Sequence, residues 1–261
     1  MSRERRSNIK KLVLEWERGV VKTSKQLYEM GYSSQLLSKY VKNRWLEKVG
    51  KQGAYKLYGD KIKWIGALLT IQEYMKKRIH VGGKTALTLM GLSHYAAQSI
   101  DTILLYTKRD ESLPEWMIKQ QFDVAILTFH TEFLSDQSFL GFTDYIEGDI
   151  KVWISSPERA ILEMLYLVPK RHTFEESFLI MENLTSLRAT VLQNLLEKCN
   201  SIKVKRMFLY MASRLGYAWF KQLKVERIDL GRGKRVIVEG GEFDKEYQIT
   251  VPLKNSEEVG Y

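Results

Sequence analysis

Four polar side chains recur at helical spacing in the stretch SQLLSKYVKN, residues 34–43. Gln35, Ser38, Lys39 and Lys42 stand at positions i, i+3, i+4 and i+7, so a helix would place them on one face. An amide that both donates and accepts, a hydroxyl and two ammonium groups can bind base edges and phosphates. This face therefore predicts a contact with a nucleic acid.

The elements that must position this face can be read from the preceding residues. The opposite side of the same helix is apolar and consists of Leu36, Leu37, Tyr40 and Val41. Ser33 or Ser34 can cap this helix. A short helix, SKQLYEM, precedes it after a cap at Thr23 or Ser24, and Gly31 turns the chain between the two. A first helix over Ile9–Arg18 carries an apolar stripe that can pack on both. This order is typical of a helix-turn-helix.

The stretch WLEKVGKQGAYKLY follows directly and predicts a hairpin that turns over Gly50–Gly53. A basic hairpin after the third helix is the wing of a winged helix-turn-helix, which we assign to residues 1–60. Some winged helices bind only protein, and a solvated charged face is the plainer alternative. The candidate DNA-binding residues are Ser24, Ser34, Gln35, Ser38, Lys39, Lys42, Arg44, Lys48, Lys51 and Lys56.

The distribution of charge favours the nucleic-acid interpretation. Residues 1–61 hold 15 Lys and Arg against 6 Asp and Glu, while the other 200 residues hold 26 against 25. Nearly all of the net charge of +10 therefore lies in the first quarter of the chain. A basic module attached to a balanced body is the pattern expected when phosphates supply the missing negative charge.

Composition limits the remaining classes. The chain has no apolar run of 18 residues and no apolar stretch behind its basic start, so we predict neither a membrane span nor a secretory signal. The only cysteine, Cys199, excludes an internal disulfide and is interpreted as a small core residue. Together these features favour a cytoplasmic protein.

Residues 61–261 predict a second domain of the α+β class, because strands and helices follow one another without regular βαβ alternation. A helix is expected over Lys61–Arg78. Strands are expected at SIDTILLYT, VAILTFH, FTDYIEG and IKVWIS, followed by a helix that Ser156 caps. Two helices within Thr173–Leu196, another over Val204–Phe220 and a terminal hairpin turning near Gly240 complete the prediction.

The sequence does not support catalysis. VGGKTAL at 81–87 resembles a phosphate-binding loop, but the first glycine of G-x-x-x-x-G-K-[ST] would fall at Arg78, so we expect only a turn before a helix starting at Thr85. The four histidines lack metal-ligand spacing, and no metal or other cofactor is predicted. An enzyme that uses Lys84 and Thr85 to bind a nucleotide is therefore disfavoured.

Three blocks of the chain resemble a known family. GGKTALTLMGLSHY at 82–95, SPERAILEMLYLVP at 156–169 and IDLGRGKRVIVEGGEFDKEYQITVP at 228–252 are similar to AbiEi antitoxins of type IV toxin–antitoxin systems, which act in abortive phage infection. The resemblance implies an N-terminal winged helix and a C-terminal antitoxin domain. It also implies an autorepressor that binds inverted repeats in double-stranded promoter DNA, with two copies bound, and that counters a neighbouring nucleotidyltransferase toxin.

The resemblance ties the antitoxin role only loosely to single residues. Those in matching motifs are Gly83, Lys84, Thr85, His94, Glu158 and Arg159. A purely structural role is at least as well supported for each. A stable complex with the toxin is not required by the family's usual mechanism. A winged-helix regulator that senses a small ligand, without a toxin partner, would show a similar sequence.

Overall fold

The computed structural model describes residues 9–51, 53–93, 100–134 and 140–253. Contacts divide the chain into two compact units. The first comprises Met1–His80, Thr107–Ile126 and Asp144–Trp153, and the second comprises Val81–Tyr106, Leu127–Thr143 and Ile154–Tyr261. Mixed helices and sheets confirm the α+β class. The predicted domain boundary between residues 60 and 61 stays a prediction.

The first unit begins with a winged helix-turn-helix. Helix α1 (residues 9–14) is followed by β1 (Lys22–Thr23), α2 (Ser24–Glu29) and α3 (Ser34–Lys42). Strands β2 (Leu46–Val49) and β3 (Ala54–Leu57) form the antiparallel wing, and β1 pairs with β3 to complete a three-stranded sheet. The predicted order of helix, helix, glycine turn, helix and hairpin is therefore confirmed.

One core holds these elements together. Leu12 of α1, Leu27 of α2, Leu37 of α3 and Leu46 of β2 are fully buried in a single apolar cluster. Helix α1 is shorter than the predicted Ile9–Arg18, because the chain leaves the helix before Trp16. The Trp16 indole N–H then donates to the carbonyl of Val20 at 2.9 Å inside this cluster.

Helix α4 (Trp64–Leu69) continues as a π-helical turn over Thr70–Tyr74 and replaces the longer helix predicted for Lys61–Arg78. It packs directly on the winged module. A Cβ on Gly66 would lie 2.2 Å from the carbonyl oxygen of Gly19, so the two backbones touch here. The Thr70 hydroxyl donates to the Val21 carbonyl at 2.5 Å.

A five-stranded sheet has the order β6-β5-β4-β8-β7. Its strands are β4 (His80–Val81), β5 (Thr102–Thr107), β6 (Ala125–His130), β7 (Phe142–Glu147) and β8 (Ile150–Ser155), with the short helix α6 (Glu115–Ile118) between β5 and β6. The four strands predicted for this region are therefore confirmed. The pairing of β4 with β8 is parallel, Val81 opposite Ile154.

The second unit is built around α7 (Pro157–Tyr166), which packs against α5 (Gly83–Leu89), α8 (Phe174–Glu182), α9 (Ala189–Lys198) and α10 (Ile202–Leu215). Eight consecutive residues of α7, 158–165, are buried. Short 3₁₀ turns cover Phe220–Gln222 and Val225–Arg227. Helix α5 begins at Gly83, two residues earlier than predicted.

The predicted terminal hairpin turning near Gly240 is wrong. Strand β10 (Glu242–Asp244) forms the antiparallel hairpin with β11 (Ile249–Val251), while β9 (Arg235–Val236) lies parallel to β11 on its other side. Buried Arg206 lies beside this arrangement. Its guanidinium donates to the carbonyls of Leu230, Gly231, Gly233 and Gln248, which fixes the loop before β9 against the end of the hairpin.

Candidate nucleic-acid interface

The polar face of α3 forms as the sequence predicts. The Ser33 hydroxyl caps the helix by accepting the Leu36 N–H at 3.3 Å, while Leu37 and Tyr40 are buried on the inner side. The predicted outer residues, Gln35, Ser38, Lys39 and Lys42, are all exposed. The inner side therefore holds the helix on the core and leaves an amide, a hydroxyl and two ammonium groups free to meet a ligand.

Arg44 follows α3 in an unusual backbone conformation. Its φ of 57° lies in the left-handed region, which favours glycine. The turn it makes lets the Trp45 N–H donate to the Tyr40 carbonyl at 2.9 Å, so it ends the helix. The exposed Arg44 guanidinium lies 5.9 Å from the centre of the Tyr58 ring. An arginine therefore occupies a position where glycine would be less strained.

Two of the predicted wing lysines are exposed, and a third is bound within the protein. Lys48 on β2 and Lys51 at the tip are exposed, and the tip glycines Gly50 and Gly53 adopt φ of 66° and 59°. Lys56 is different: its ammonium lies 2.9 Å from Glu47 and donates to the Asp60 carbonyl at 2.6 Å. We therefore leave Lys56 out of the proposed contacts, because these interactions hold it within the protein.

The two remaining serines have different surroundings. Ser34 is exposed as the first residue of α3, while the cap is Ser33. Ser24 is half-buried beside the wing, where its N–H donates to the Gly53 carbonyl at 2.6 Å. The α2 cap is Thr23, whose hydroxyl accepts the Gln26 N–H. Ser24 therefore joins α2 to the tip of the wing.

Four exposed lysines of α3 and the wing are not neutralised by ion pairs within the part of the chain that the structure describes. Among the described residues, Lys39, Lys42, Lys48 and Lys51 have no ion-pair partner. An unpaired ammonium is well hydrated and remains available to a phosphate, whose binding would release condensed counterions.

The C-terminal candidate Gly83 lies against a buried carboxylate. The Gly83 N–H donates to Oε2 of Glu163 at 3.0 Å, and the same carboxylate accepts from the Ser155 hydroxyl at 2.7 Å and from Arg159 Nε at 2.8 Å. A Cβ on Gly82 would lie 2.0 Å from Glu163 Oε2. The protein's own carboxylate thus occupies the place where the apparent phosphate loop would need a phosphate.

Glu158 is engaged in a second buried network. Three N–H groups of Arg188 donate to its carboxylate, and the Ser156 hydroxyl donates to it at 2.6 Å. Ser156 stands at the cap position of α7, but its hydroxyl makes no capping bond to the helix backbone, contrary to the prediction. Burial alone would raise the pKa of Glu158, and these hydrogen bonds outweigh it and lower the pKa to about 2.

The side chains of Lys84 and Thr85 both bind groups of the protein itself. The Lys84 ammonium lies 2.5 Å from Oε1 of Glu176, and Oε2 of Glu176 lies 3.2 Å from Nδ1 of His172. The Thr85 hydroxyl joins α5 to β5 by donating to the Thr102 carbonyl and accepting the Leu104 N–H. His94 lies outside the described residues.

The partners of these residues were not predicted from the sequence. Arg159 and Glu163 are four apart on a helix, a spacing that could have indicated their ion pair. Arg188 lies 30 residues from Glu158, and Glu176 lies 92 residues from Lys84. No local pattern indicates these two pairs.

The structure combines a winged helix-turn-helix that has an exposed basic face with an α+β domain. This architecture is typical of DNA-binding regulators. Two family models then match the chain. Residues 5–98 match the N-terminal domain of the AbiEi antitoxin transcriptional regulators, and residues 100–252 match the transcriptional regulator, AbiEi antitoxin, of type IV toxin–antitoxin systems. The chain belongs to this family, which confirms the resemblance.

A solved structure shares the fold. The crystal structure of the RV2827C protein from Mycobacterium tuberculosis is similar with a TM-score of 0.58 and 13% identity, over 92% of this chain and 88% of that one. No curated protein sequence matches the chain. Within the described part of the chain, no helix has the length and apolar character needed to cross a lipid bilayer.

Proposed function

We propose that this protein is an antitoxin that also represses its own operon by binding inverted repeats in promoter DNA. The observation that carries the proposal is the outer face of α3, where Gln35, Ser38, Lys39 and Lys42 are all exposed while the inner face is buried in the core. In helix-turn-helix proteins this helix enters the major groove and contacts base edges. Gln35 is suited to adenine, since its amide can donate to and accept from one base.

The wing supplies a sequence-independent part of the binding energy. Lys48 and Lys51 are exposed and lack ion pairs within the described residues, so they suit the phosphates that flank the groove. Arg44 lies between α3 and the wing and is assigned to the same backbone. Each neutralised phosphate makes the affinity more sensitive to salt.

An inverted repeat presents two equivalent half-sites, so the proposal requires two bound copies. Half-sites on one side of the duplex are separated by about 34 Å or a multiple of it. The copies need to meet only on DNA, and no stable dimer in free solution is required.

The antitoxin part of the proposal rests on family membership and on the C-terminal domain. The family description names an antitoxin of a type IV system. We assign the toxin partner to the nucleotidyltransferase class that the sequence resemblance implies, encoded by the adjacent gene. Direct contact between the two proteins is not required, because the resemblance implies a mechanism in which antitoxin and toxin need not form a stable complex.

A gel shift with the DNA upstream of the protein's own gene tests the repressor role. We expect a shift that an unlabelled copy of the inverted repeat abolishes and that a scrambled duplex of equal length does not. Two steps of retardation are expected as the two half-sites fill. Absence of a specific shift at moderate salt would exclude autorepression.

Coexpression tests the antitoxin role separately. Growth arrest caused by the adjacent nucleotidyltransferase gene should be relieved by this protein, and also by a variant with Lys39 and Lys42 changed to alanine that no longer represses. If the adjacent gene encodes no nucleotidyltransferase, the alternative of a ligand-sensing regulator without a toxin partner is favoured.

A further inference from the structure

A cavity of about 360 Å³ lies in the second unit, between α5, β5, β6 and the segment that follows α7. Its size falls in the range of pockets that hold small molecules. Lys84, Arg171 and His172 line one part, and Leu104, Leu127 and Phe129 line another. The cavity therefore combines a polar wall, which includes two basic side chains, with an apolar wall.

His172 contributes a polar atom that the fold does not satisfy. Its residue is 7% exposed, and Nε2 is buried without a hydrogen-bond partner among the described residues. The other ring nitrogen, Nδ1, lies 3.2 Å from the Glu176 carboxylate. Because a carboxylate accepts, Nδ1 carries the proton. Burial lowers the pKa of His172 and so favours the neutral ring, in which Nε2 is an acceptor. A buried nitrogen without a partner is costly unless a ligand completes it.

The surrounding charges determine which ligand fits. Hydrogen bonding to Lys84 outweighs the desolvation that raises the Glu176 pKa, so its pKa is lowered and the carboxylate stays ionised beside Lys84 and His172. Arg171 is exposed, and its side chain makes no hydrogen bond or ion pair within the described residues. The guanidinium is therefore available to an anion. Asp101 also lines the cavity, and its negative charge disfavours a second anionic group on the ligand.

The apolar wall suits a flat group. Phe129 is half-buried, and its ring packs on Tyr106 with 5.4 Å between centres, which holds the ring in place. Leu104 and Leu127 extend this surface. A small ring can displace water here while its charged substituent remains beside Arg171.

From these features we infer that the cavity binds a small molecule that joins one anionic group, such as a phosphate, to an aromatic ring. Arg171 binds an ionised oxygen of this group, a protonated oxygen of the same group donates to His172 Nε2, and the ring packs on Phe129 and Leu127. The inference is independent of DNA binding, because the residues that carry it lie in the second unit.

Titration of the full chain with 1-naphthyl phosphate tests the inference by calorimetry. Inorganic phosphate and 1-naphthol serve as partial probes, because each has only one of the two recognised groups. We expect 1-naphthyl phosphate to bind at least about tenfold more tightly than either, as a charged hydrogen bond alone accounts for such a factor. Equal binding of inorganic phosphate would show only a surface anion contact and would overturn the inference.

Two matched variants test whether the ligand binds in this cavity. Arg171→Gln should weaken 1-naphthyl phosphate about tenfold, while Lys170→Gln removes the same charge from an exposed neighbour outside the cavity and should leave binding unchanged. Equal effects of the two substitutions would contradict the site. Thr88→Met, which fills the cavity from α5, should abolish binding, and retention of binding in a folded Thr88→Met protein would also contradict it. If Thr88→Met does not fold, the Arg171 and Lys170 pair decides.

Discussion

Arg188 holds the buried carboxylate of Glu158 from three directions: its backbone N–H and Nε each donate to Oε1 at 2.9 Å, and Nη2 donates to Oε2 at 2.8 Å. Glu158 is 2% exposed, whereas 56% of the Arg188 side chain is exposed. The buried carboxylate therefore depends on Arg188 and Ser156 for its hydrogen bonds. The Arg188 guanidinium is partly solvated and would still be hydrated if the carboxylate were removed. The contact fixes the start of α9 against the first turn of α7.

The first prediction concerns stability in acid. The pKa of Glu158 is about 2 in the folded protein against an ordinary 4.5, so ionised Glu158 stabilises the fold above pH 4.5, and this contribution is lost as the pH falls toward 2. Glu158→Gln should lower the free energy of unfolding by about 3 kcal/mol near neutral pH. The difference from the wild type should shrink between pH 4.5 and pH 2.

Urea denaturation at several pH values measures this difference. Glu239→Gln is the matched control, because Glu239 is exposed and carries the same charge. It should leave the free energy of unfolding nearly unchanged. A constant gap between Glu158→Gln and wild type across the acid range would contradict the assigned role of the ion pair.

The second prediction concerns base recognition. Gln35→Ala should cost about 1–3 kcal/mol in binding at one base pair and relax the preference there, because an exposed amide on α3 is removed and no core contact changes. Binding to operators with single base substitutions measures it. Gln121→Ala, at an exposed glutamine outside α3, should bind like the wild type. A uniform loss across all operators would show that Gln35 contacts the backbone instead.

The third prediction separates two wing lysines. Lys51→Ala should weaken binding to all sequences alike and reduce the slope of log affinity against log salt by about 1, since one phosphate contact is lost. Lys56→Ala should leave that slope unchanged, because Lys56 is bound to Glu47 and the Asp60 carbonyl. Fluorescence anisotropy over a salt series measures both variants. A similar fall in slope for both would restore Lys56 to the interface.

The fourth prediction uses the backbone of Arg44. Since its φ of 57° favours glycine, Arg44→Gly should keep the free energy of unfolding within about 1 kcal/mol of the wild type. DNA affinity should fall, because a cation beside α3 is removed. Thermal denaturation and anisotropy give the two quantities for one protein. Unchanged affinity would remove Arg44 from the interface.

Much of the winged module could be predicted from sequence, because its signals are local. The caps of α2 and α3, the turn at Gly31 and the alternation of buried and exposed positions on α3 depend on residues within one helical turn of each other. The charge excess of the first 61 residues is a count and needs no structure. The end of α1 was not predicted, because outside the helix the Trp16 indole N–H finds an acceptor in the Val20 carbonyl, which the apolar repeat does not indicate.

The C-terminal sheet of β9, β10 and β11 shows the limit of local patterns. Two adjacent glycines between strand-like runs favour a hairpin, yet a Cβ on Gly241 would lie 1.9 Å from the Val251 carbonyl oxygen. The close approach of β11, not a tight hairpin turn, requires this glycine. Arg206, on a distant helix, binds the Leu230 and Gln248 carbonyls and so ties the loop before β9 to the turn before β11.

The sequence alone determined which residues are charged, which are apolar and how they repeat along the chain, and this was enough for the basic winged module and the family. Tertiary structure decided the partners: Arg188 for Glu158, Glu163 for Gly83, and the cavity between Lys84, Phe129 and His172. The physical reason is that a helix repeats within a few residues, whereas a buried charge is satisfied by whichever group the folded chain brings within hydrogen-bond distance.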